Sequence, residues 1–545
     1  LGQGVIMEKN TLICTFDKAQ YLCGEDVRID LPPELRGGEA QVTRLERAVP
    51  CNAHREGAAL VLSGLVEGNY GVIVRRGELR WEGAFDVVPE RRRITRYGFL
   101  TDFAPDDAGE EDLRWMCALH LNAVQFYDWM YRHDKLLPDS GLYSDPMGRP
   151  TSLAVIEGKI AACKRLGMRP FAYGAVYAAT AATCEAHPDW AMYSMDGKPL
   201  VFASWLYFMN IAADSPWSWH IVGQYREAVR FGFEGIHMDT YGLPKHVWDA
   251  QGKPVELAEE FPGLITRAAE AVRSERPEGG VIFNCVNNWP VTDAASAPQD
   301  AVYIEVWPPN DSYRDLYTLI REAKLLSGGK CVVLAAYLKP FEAGGEAAEN
   351  AFRLAWAVIS ASGGTQLVLG EDRCALRDSY YVNHARLRDE FCQTVQKYCD
   401  FLVRYADLLY DDNGTDISRT ASGGINEDVC FSGEGCEFST DGESGTIWSI
   451  IHESRELINI QLINLRGNDA RWNEPKSRPI PAEGISMSLR LDRPVSGIWW
   501  ASPDGESLGP VELAHSWSDS EHGRVYTASL PPLDYWAAVW VRLGD

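Results

Sequence analysis

Between residues 94 and 375 short apolar, β-rich runs alternate with longer amphipathic stretches, and the pair recurs eight times. The strand-like runs are Tyr97–Leu100, Ala123–Tyr127, Arg169–Tyr173, Gly235–Met238, Val281–Asn284, Val302–Glu305, Cys331–Ala335 and Gln366–Leu369. Helical stretches lie between them, among them Glu110–Leu119, Ile156–Leu166, Ser218–Phe231, Leu257–Glu275 and Glu346–Ser360. Eight βα repeats over about 280 residues predict a (β/α)8 TIM barrel. The rival, an open doubly wound sheet, would place a GxGxxG loop after the first strand, and none is there.

The pattern changes on both sides. Residues 1–92 carry short β-rich runs (Thr11–Phe16, Ala59–Leu62, Gly71–Val74, Ala84–Val88) separated by Gly, Pro and Asp turns, which predict a small β-sandwich. Glu90-Arg-Arg-Arg93 marks the expected junction. Residues 379 to 409 read as one or two amphipathic helices that close the barrel, giving a catalytic segment 93–410. Residues 411–545 return to β-rich runs (Ile447–Ile451, Leu457–Ile463, Ser486–Leu491, Tyr535–Val541) and predict a C-terminal antiparallel β-sandwich. Asp411-Asp-Asn-Gly414 lacks the ligand spacing of a calcium loop and reads as a turn.

Composition narrows the function classes. A net charge of -25 disfavours phosphate backbones and anionic lipid, so no nucleic-acid or membrane partner is expected. Mean hydropathy is -0.22, and no apolar run reaches the length of a membrane span. The thirteen cysteines form no CxxC and no Cys/His ligand set, so no metal is expected. Several of them (Cys117, Cys163, Cys285, Cys331) sit in apolar segments as core residues. That usage, with no signal-peptide pattern before or after Met7, suggests a cytoplasmic protein; a secreted one with its signal removed is the alternative.

Two strands end in carboxylates, Asp239 after Gly235–Met238 and Glu305 within Ala301–Glu305. In a parallel barrel those ends face the mouth, where the chemistry is done. A pair of carboxylates there is the equipment of a glycosidase. Glu305 is flanked by Ile304, Val306, Trp307, Pro308 and Pro309, an apolar setting that keeps a proton donor protonated. Asp239 neighbours His237, Thr240 and Tyr241, which could hydrogen-bond it and keep a nucleophile ionised. The plainer alternative is two strand-end carboxylates, each paired with a base. The second strand runs into Gln125-Phe-Tyr-Asp-Trp-Met-Tyr-Arg-His-Asp134, whose Gln125, Tyr127, Asp128, Trp129, Tyr131 and His133 suit the apolar faces and hydroxyl rim of a sugar. Here the alternative is an Arg–Asp cluster tying loops together. Further strand-end candidates for substrate contact are Asp102, Tyr173, His237, Asn284, Asn287, Trp307 and Tyr337. Tyr177, Asn288, Trp289, Lys339, Glu371 and Asp372 occupy similar positions. The connection after strand three holds about 55 residues, far above the usual handful. Its Trp205, Tyr207, Phe208, Trp217 and Trp219 suggest a wall over the site.

With Tyr97–Phe103, His120–Asp134, Gly232–Gly242 and Tyr303–Trp307 assembled, the chain resembles glycoside hydrolase family 66, the endo-dextranases and cycloisomaltooligosaccharide glucanotransferases. The resemblance implies an N-terminal immunoglobulin-like β-sandwich, the barrel and a C-terminal β-sandwich. It implies Asp239 as nucleophile and Glu305 as acid/base in retaining cleavage of α-1,6-glucosidic links, without cofactor. The implied partner is an α-1,6-linked glucan or isomalto-oligosaccharide. The family's glucanotransferases carry an inserted carbohydrate-binding module that no barrel connection here could house, so a dextranase-like hydrolase is expected. A transglycosylase and a non-catalytic isomalto-oligosaccharide-binding barrel are the alternatives.

Overall fold

The computed structural model describes residues 14–91, 94–410 and 414–544. Residues 411–413 of the expected turn, the start of the Thr11–Phe16 run and the end of the Glu90–Arg93 junction lie outside the described residues. The expected junctions at 92/93 and 410/411 also fall beside undescribed residues.

The central element is a sheet of eight parallel strands in sequence order. They are β1 (Tyr97–Leu100), β2 (Ala123–Phe126), β3 (Arg169–Ala175), β4 (Gly235–Asp239), β5 (Gly280–Val286), β6 (Ala301–Glu305), β7 (Cys331–Ala335) and β8 (Thr365–Gln366). A parallel bridge between Phe99 and Gly370 closes the ring. The helices that follow each strand are α1 (Glu111–Ala118), α2 (Leu153–Arg165), α3 (Pro216–Phe231), α4 (Leu257–Glu275), α5 (Val291–Ala294), α6 (Tyr313–Ser327), α7 (Gly345–Ala361) and α8 (Asp389–Arg404). This is the TIM barrel the alternation predicts.

Side-chain alternation builds its two faces. On β5, Phe283 turns outward to Phe261 of α4, ring centroids 5.0 Å apart, while Asn284 turns inward to the cavity. Local signals fix helix ends as well. α6 opens with a reciprocal cap: Asp315 N–H donates to the Ser312 hydroxyl at 3.1 Å, and Ser312 N–H to the Asp315 carboxylate at 2.8 Å. It closes at Gly328, whose φ of 70° suits a residue without Cβ.

Three expectations need correction. β8 is Thr365–Gln366 rather than Gln366–Leu369, because the chain then turns so that Leu369 bridges Ala375. Residues 379–388 are not helical: they hold a turn at Tyr381–Asn383 and a strand, Ala385–Arg386, paired with Cys374–Ala375. Trp217 and Trp219 belong to α3 and not to the wall; Trp217 is fully buried and Trp219 is exposed. The wall itself is a three-stranded sheet of Ala178–Ala179, Leu206–Phe208 and Val201–Phe202.

The N-terminal module is two facing sheets of four and five strands. Val27, Ile29, Leu60, Leu62, Val72, Val74 and Phe85 fill the space between them. The opposite face of strand Gly68–Arg76 meets α8, where a Cβ on Gly71 would stand 2.3 Å from the Arg404 guanidinium. Only glycine lets the two approach so closely. The C-terminal module is a second sandwich, with the larger sheet containing Ile447–Glu453, Leu457–Asn464, Trp536–Leu543 and Val495–Ala501. Glu46 of the N-terminal module accepts hydrogen bonds from Trp540 Nε1 at 2.9 Å and Arg542 Nε at 3.0 Å. No helix among the described residues is long and apolar enough to cross a membrane.

Candidate active site

A cavity of about 310 Å³ opens at the C-terminal ends of the barrel strands. The period of two that sends Phe283 outward sends His237 and Asp239 of β4, and Tyr303 and Glu305 of β6, inward together. Asp239 and Glu305 line the cavity, with Gln125, Tyr127, Tyr173, His237, Asn284, Trp307 and Tyr337. These nine sequence candidates are therefore brought together.

The two carboxyls share a neighbour. Asn284 Nδ2 donates to Asp239 Oδ1 at 2.7 Å and to Glu305 Oε2 at 3.2 Å. Tyr173 donates its hydroxyl to Asp239 Oδ2 at 2.6 Å, and Tyr337 donates to Glu305 Oε1 at 3.0 Å. Burial raises the Asp239 carboxyl to about 6; the Asn284 and Tyr173 bonds and the Thr240 amide pull against it. Burial, then the charge of Asp239, raises Glu305 to about 7, against weaker donation from Asn284, Tyr337 and Trp307. The pair thus holds its proton preferentially on Glu305.

Sequence neighbours do not supply the donors to Asp239 in the way anticipated. The side chains come from adjacent strands, since neighbours along one strand point to opposite faces. His237 lies one layer deeper, where its Nδ1 meets the Tyr97 hydroxyl at 3.3 Å, and burial lowers its pKa to about 3. Its ring, with Tyr97, Tyr173 and Tyr303, makes an aromatic floor under the cavity.

Six candidates are not among the cavity-lining residues. Asp102 is exposed, and its carboxylate accepts the Ala104 N–H at 2.9 Å, closing a local turn. Trp129 is fully buried: its Nε1 donates to Tyr173 C=O at 3.1 Å and its ring packs on Phe233, so it is a core residue with no face for a sugar. Tyr131 packs beside Tyr143 with Arg132 over its ring. The alternative, an Arg–Asp cluster, does not form through Arg132, which donates to main-chain oxygens of Tyr131, Ser144 and Asp145. His133 is buried between Tyr173 and Trp205, and its Nδ1 has no partner. Asp128 is buried beside the site at a φ of 51°, and burial raises it to about 7. Asn287 braces the loop after β6: its Oδ1 accepts Asn310 Nδ2 at 2.7 Å and its Nδ2 donates to Pro308 C=O at 3.0 Å.

Phe202, Tyr241, Tyr303, Ser379, Tyr380 and Tyr381 also line the cavity and escaped the sequence reading as contact residues. Tyr303 stands two residues before Glu305 on the same strand, so strand alternation could have found it. Tyr381 stacks on Tyr127 at 4.4 Å, and its hydroxyl meets that of Tyr303 at 2.9 Å. Its signal, Asp378-Ser-Tyr-Tyr-Val-Asn383, holds turn formers inside a stretch taken as helix. Phe202 arrives on the wall, stacked on Tyr241 with centroids 4.5 Å apart. Among the described residues no group of three or more His, Cys, Asp or Glu is placed to hold a metal ion.

The model of glycosyl hydrolase family 66 matches residues 76–540. The chain belongs to that family. Two curated family 66 relatives are similar over most of its length, both cycloisomaltooligosaccharide glucanotransferases of Niallia circulans, at 23% and 22% identity over 84% and 87% of this chain. The chain spans 62% and 64% of their length. A Paenibacillus sp. cycloisomaltooligosaccharide glucanotransferase, solved with cycloisomaltoheptaose, superposes with a TM-score of 0.87 at 22% identity, over 97% of this chain and 99% of that one. An α-amylase from Geobacillus thermoleovorans shares the fold more loosely, with a TM-score of 0.51 at 11% identity over 84% of this chain and 99% of its own.

Proposed function

We propose that this family 66 member breaks α-1,6-glucosidic links with retention and transfers the released glucosyl chain to a sugar hydroxyl; its relatives are named glucanotransferases, which supports the transfer. The observation that carries the mechanism is the shared Asn284 amide. Two oxygens bonded to one nitrogen at 2.7 and 3.2 Å lie within about 6 Å of each other. Retaining enzymes hold their carboxyls about 5–5.5 Å apart, and inverting ones about 6.5–9.5 Å to admit a water.

In that mechanism Glu305 gives its proton to the glycosidic oxygen as an Asp239 oxygen bonds the anomeric carbon. The electron pair of the broken C–O bond stays with the leaving sugar. Glu305, now ionised, takes the proton of the incoming hydroxyl, which displaces Asp239 and restores both groups. Tyr173 and Asn284 keep Asp239 ionised, and burial keeps Glu305 protonated.

Hydrolysis, with water as the acceptor, is the second reading. One observation favours it. The match to the first glucanotransferase runs over 612 residues yet uses 84% of a 545-residue chain, so the relative has more than a hundred residues there that this chain lacks. Incubation with dextran and with isomaltotetraose, followed by chromatography, separates the two. Cyclic or lengthened isomalto-oligosaccharides support transfer, and a ladder of shorter linear products supports hydrolysis. No product from either, with or without bound sugar, removes both.

A further inference from the structure

We propose that Asn284 is a positioning residue that moves its donated hydrogen bond between Asp239 and Glu305 and so determines which of the two carboxyls carries the proton. The inference rests on the retaining reading above and adds to it a residue that touches neither reacting bond.

Four observations converge. The amide is buried at 3% exposure, so no solvent competes for its hydrogens. An amide nitrogen has two hydrogens, and here they meet the two carboxyls at unequal distances, 2.7 Å to Asp239 and 3.2 Å to Glu305. The amide cannot usefully be turned over: that would set Oδ1, an acceptor, against an ionised carboxylate. Oδ1 instead lies buried with no hydrogen-bond partner, a cost accepted for presenting the nitrogen to the pair. The main chain beneath is pinned, since Asn284 C=O accepts the Thr240 hydroxyl at 3.1 Å.

The unequal distances match the resting charges. Asp239 is the ionised member and takes the shorter bond. When the glycosidic bond breaks, Asp239 becomes an ester and Glu305 a carboxylate, so the negative charge crosses from one to the other. An amide already between them need only shift its weight towards Glu305. A donor fixed on one carboxyl would be lost to the other at half the cycle.

Other titratable groups face the pair. Tyr127, Tyr173, Tyr241, Tyr303, Tyr337 and Tyr381 are all held above the usual phenol range by burial, and His237 is held neutral. They do not titrate between pH 5 and 8. Asp128 does, and the charge of Asp239 reaches it although no hydrogen bond joins them; Asp128→Asn is titrated alongside, so that its share of any shift is separated from that of Asn284.

The test compares wild type with Asn284→Ala and the same-shaped Asn284→Asp. The carboxyls of 13C-labelled Asp239 and Glu305 are titrated by NMR, alongside the pH profile of kcat/KM on an aryl α-isomaltoside. The Asp239 titration is expected to rise by about one pH unit in Asn284→Ala, and that of Glu305 by less, so that the gap narrows. The activity bell narrows with it, and kcat falls while KM changes little. Unmoved titrations with a uniformly lower rate would overturn the proposal. If no substrate is turned over but the gap still narrows, the donor role stands and the reading of the reaction falls.

Discussion

A carboxyl taken out of water holds its proton more tightly, and Asp239 and Glu305 are both so placed. The activity of the free enzyme should rise as Asp239 ionises near pH 6 and fall as Glu305 loses its proton near pH 7. The pH dependence of kcat/KM checks this, and a profile flat from pH 5 to 8 would contradict it. Asp239→Asn should cost at least about 1000-fold in turnover, because an amide is no nucleophile. Glu305→Gln should lose similar activity on dextran but far less on a substrate whose leaving group needs no proton. Stability moves the other way. With its folded pKa raised, Glu305 is neutral in both states below its unfolded pKa near 4.5, and ionisation burdens the folded state as pH rises through 7. Glu305→Gln should therefore match wild type in urea melts at pH 4 and exceed it at pH 8, by up to about 3 kcal/mol. The mouth position of these two residues was legible, because a carboxylate ending an apolar strand is a conspicuous break in pattern. Trp129 misled for the opposite reason. It stands in a run rich in polar and aromatic residues, and nothing local shows that its ring turns under the sheet onto Phe233.

The wall sheet after β3 brings Phe202 to the cavity on a tight turn, where Trp205 N–H donates to Phe202 C=O at 3.2 Å. Ala203 and Ser204 in that turn have φ of 51° and 68°, a left-handed backbone that costs about 1–2 kcal/mol per residue. Strain of this kind marks a turn held for its shape. Phe202 and Trp205 keep 37% and 38% of their surface open, and under the proposed function the Phe202 ring would stack on a second glucosyl residue. Phe202→Ala should raise KM about three- to tenfold for isomalto-oligosaccharides and leave an aryl glucoside nearly unaffected. Initial rates on the two substrates test it; equal losses on both would show a packing defect at Tyr241. The long connection and its aromatics flagged this wall in the sequence. The second aromatic contribution, Tyr380 and Tyr381, was harder to place, because its turn formers, Asp378, Ser379 and Asn383, run straight into the strong amphipathic pattern of α8.

Across the whole molecule, buried polar contacts join parts far apart in the chain. Asp400 of α8 takes the Ala84 N–H at 3.1 Å and the His120 ring at 2.9 Å, tying the first sandwich to the barrel. Arg353 of α7 reaches Asp504 of the last sandwich at 2.7 Å. Glu46 meets Trp540 across 494 positions of sequence. Glu46→Ala leaves the buried Trp540 indole N–H and the Arg542 Nε without their acceptor, so it should cost about 1–3 kcal/mol in urea unfolding while kcat at 25 °C stays unchanged. A variant as stable as wild type would show that water replaces the carboxylate. The three-part layout was readable because the β-only and βα rhythms differ. These ties were not, since a contact between positions hundreds of residues apart leaves no local pattern.

Strand Trp536–Leu543 lies in the interior of its sheet, zipped on one side to Leu457–Asn464 and on the other to Val495–Ala501. The ribosome delivers those two neighbours first, and until residue 543 has left the exit tunnel each presents an unsatisfied edge. The barrel strands all precede this one and can assemble before it emerges, whereas the last sandwich must wait for it, and for that interval the nascent protein is a client for whatever binds open strands.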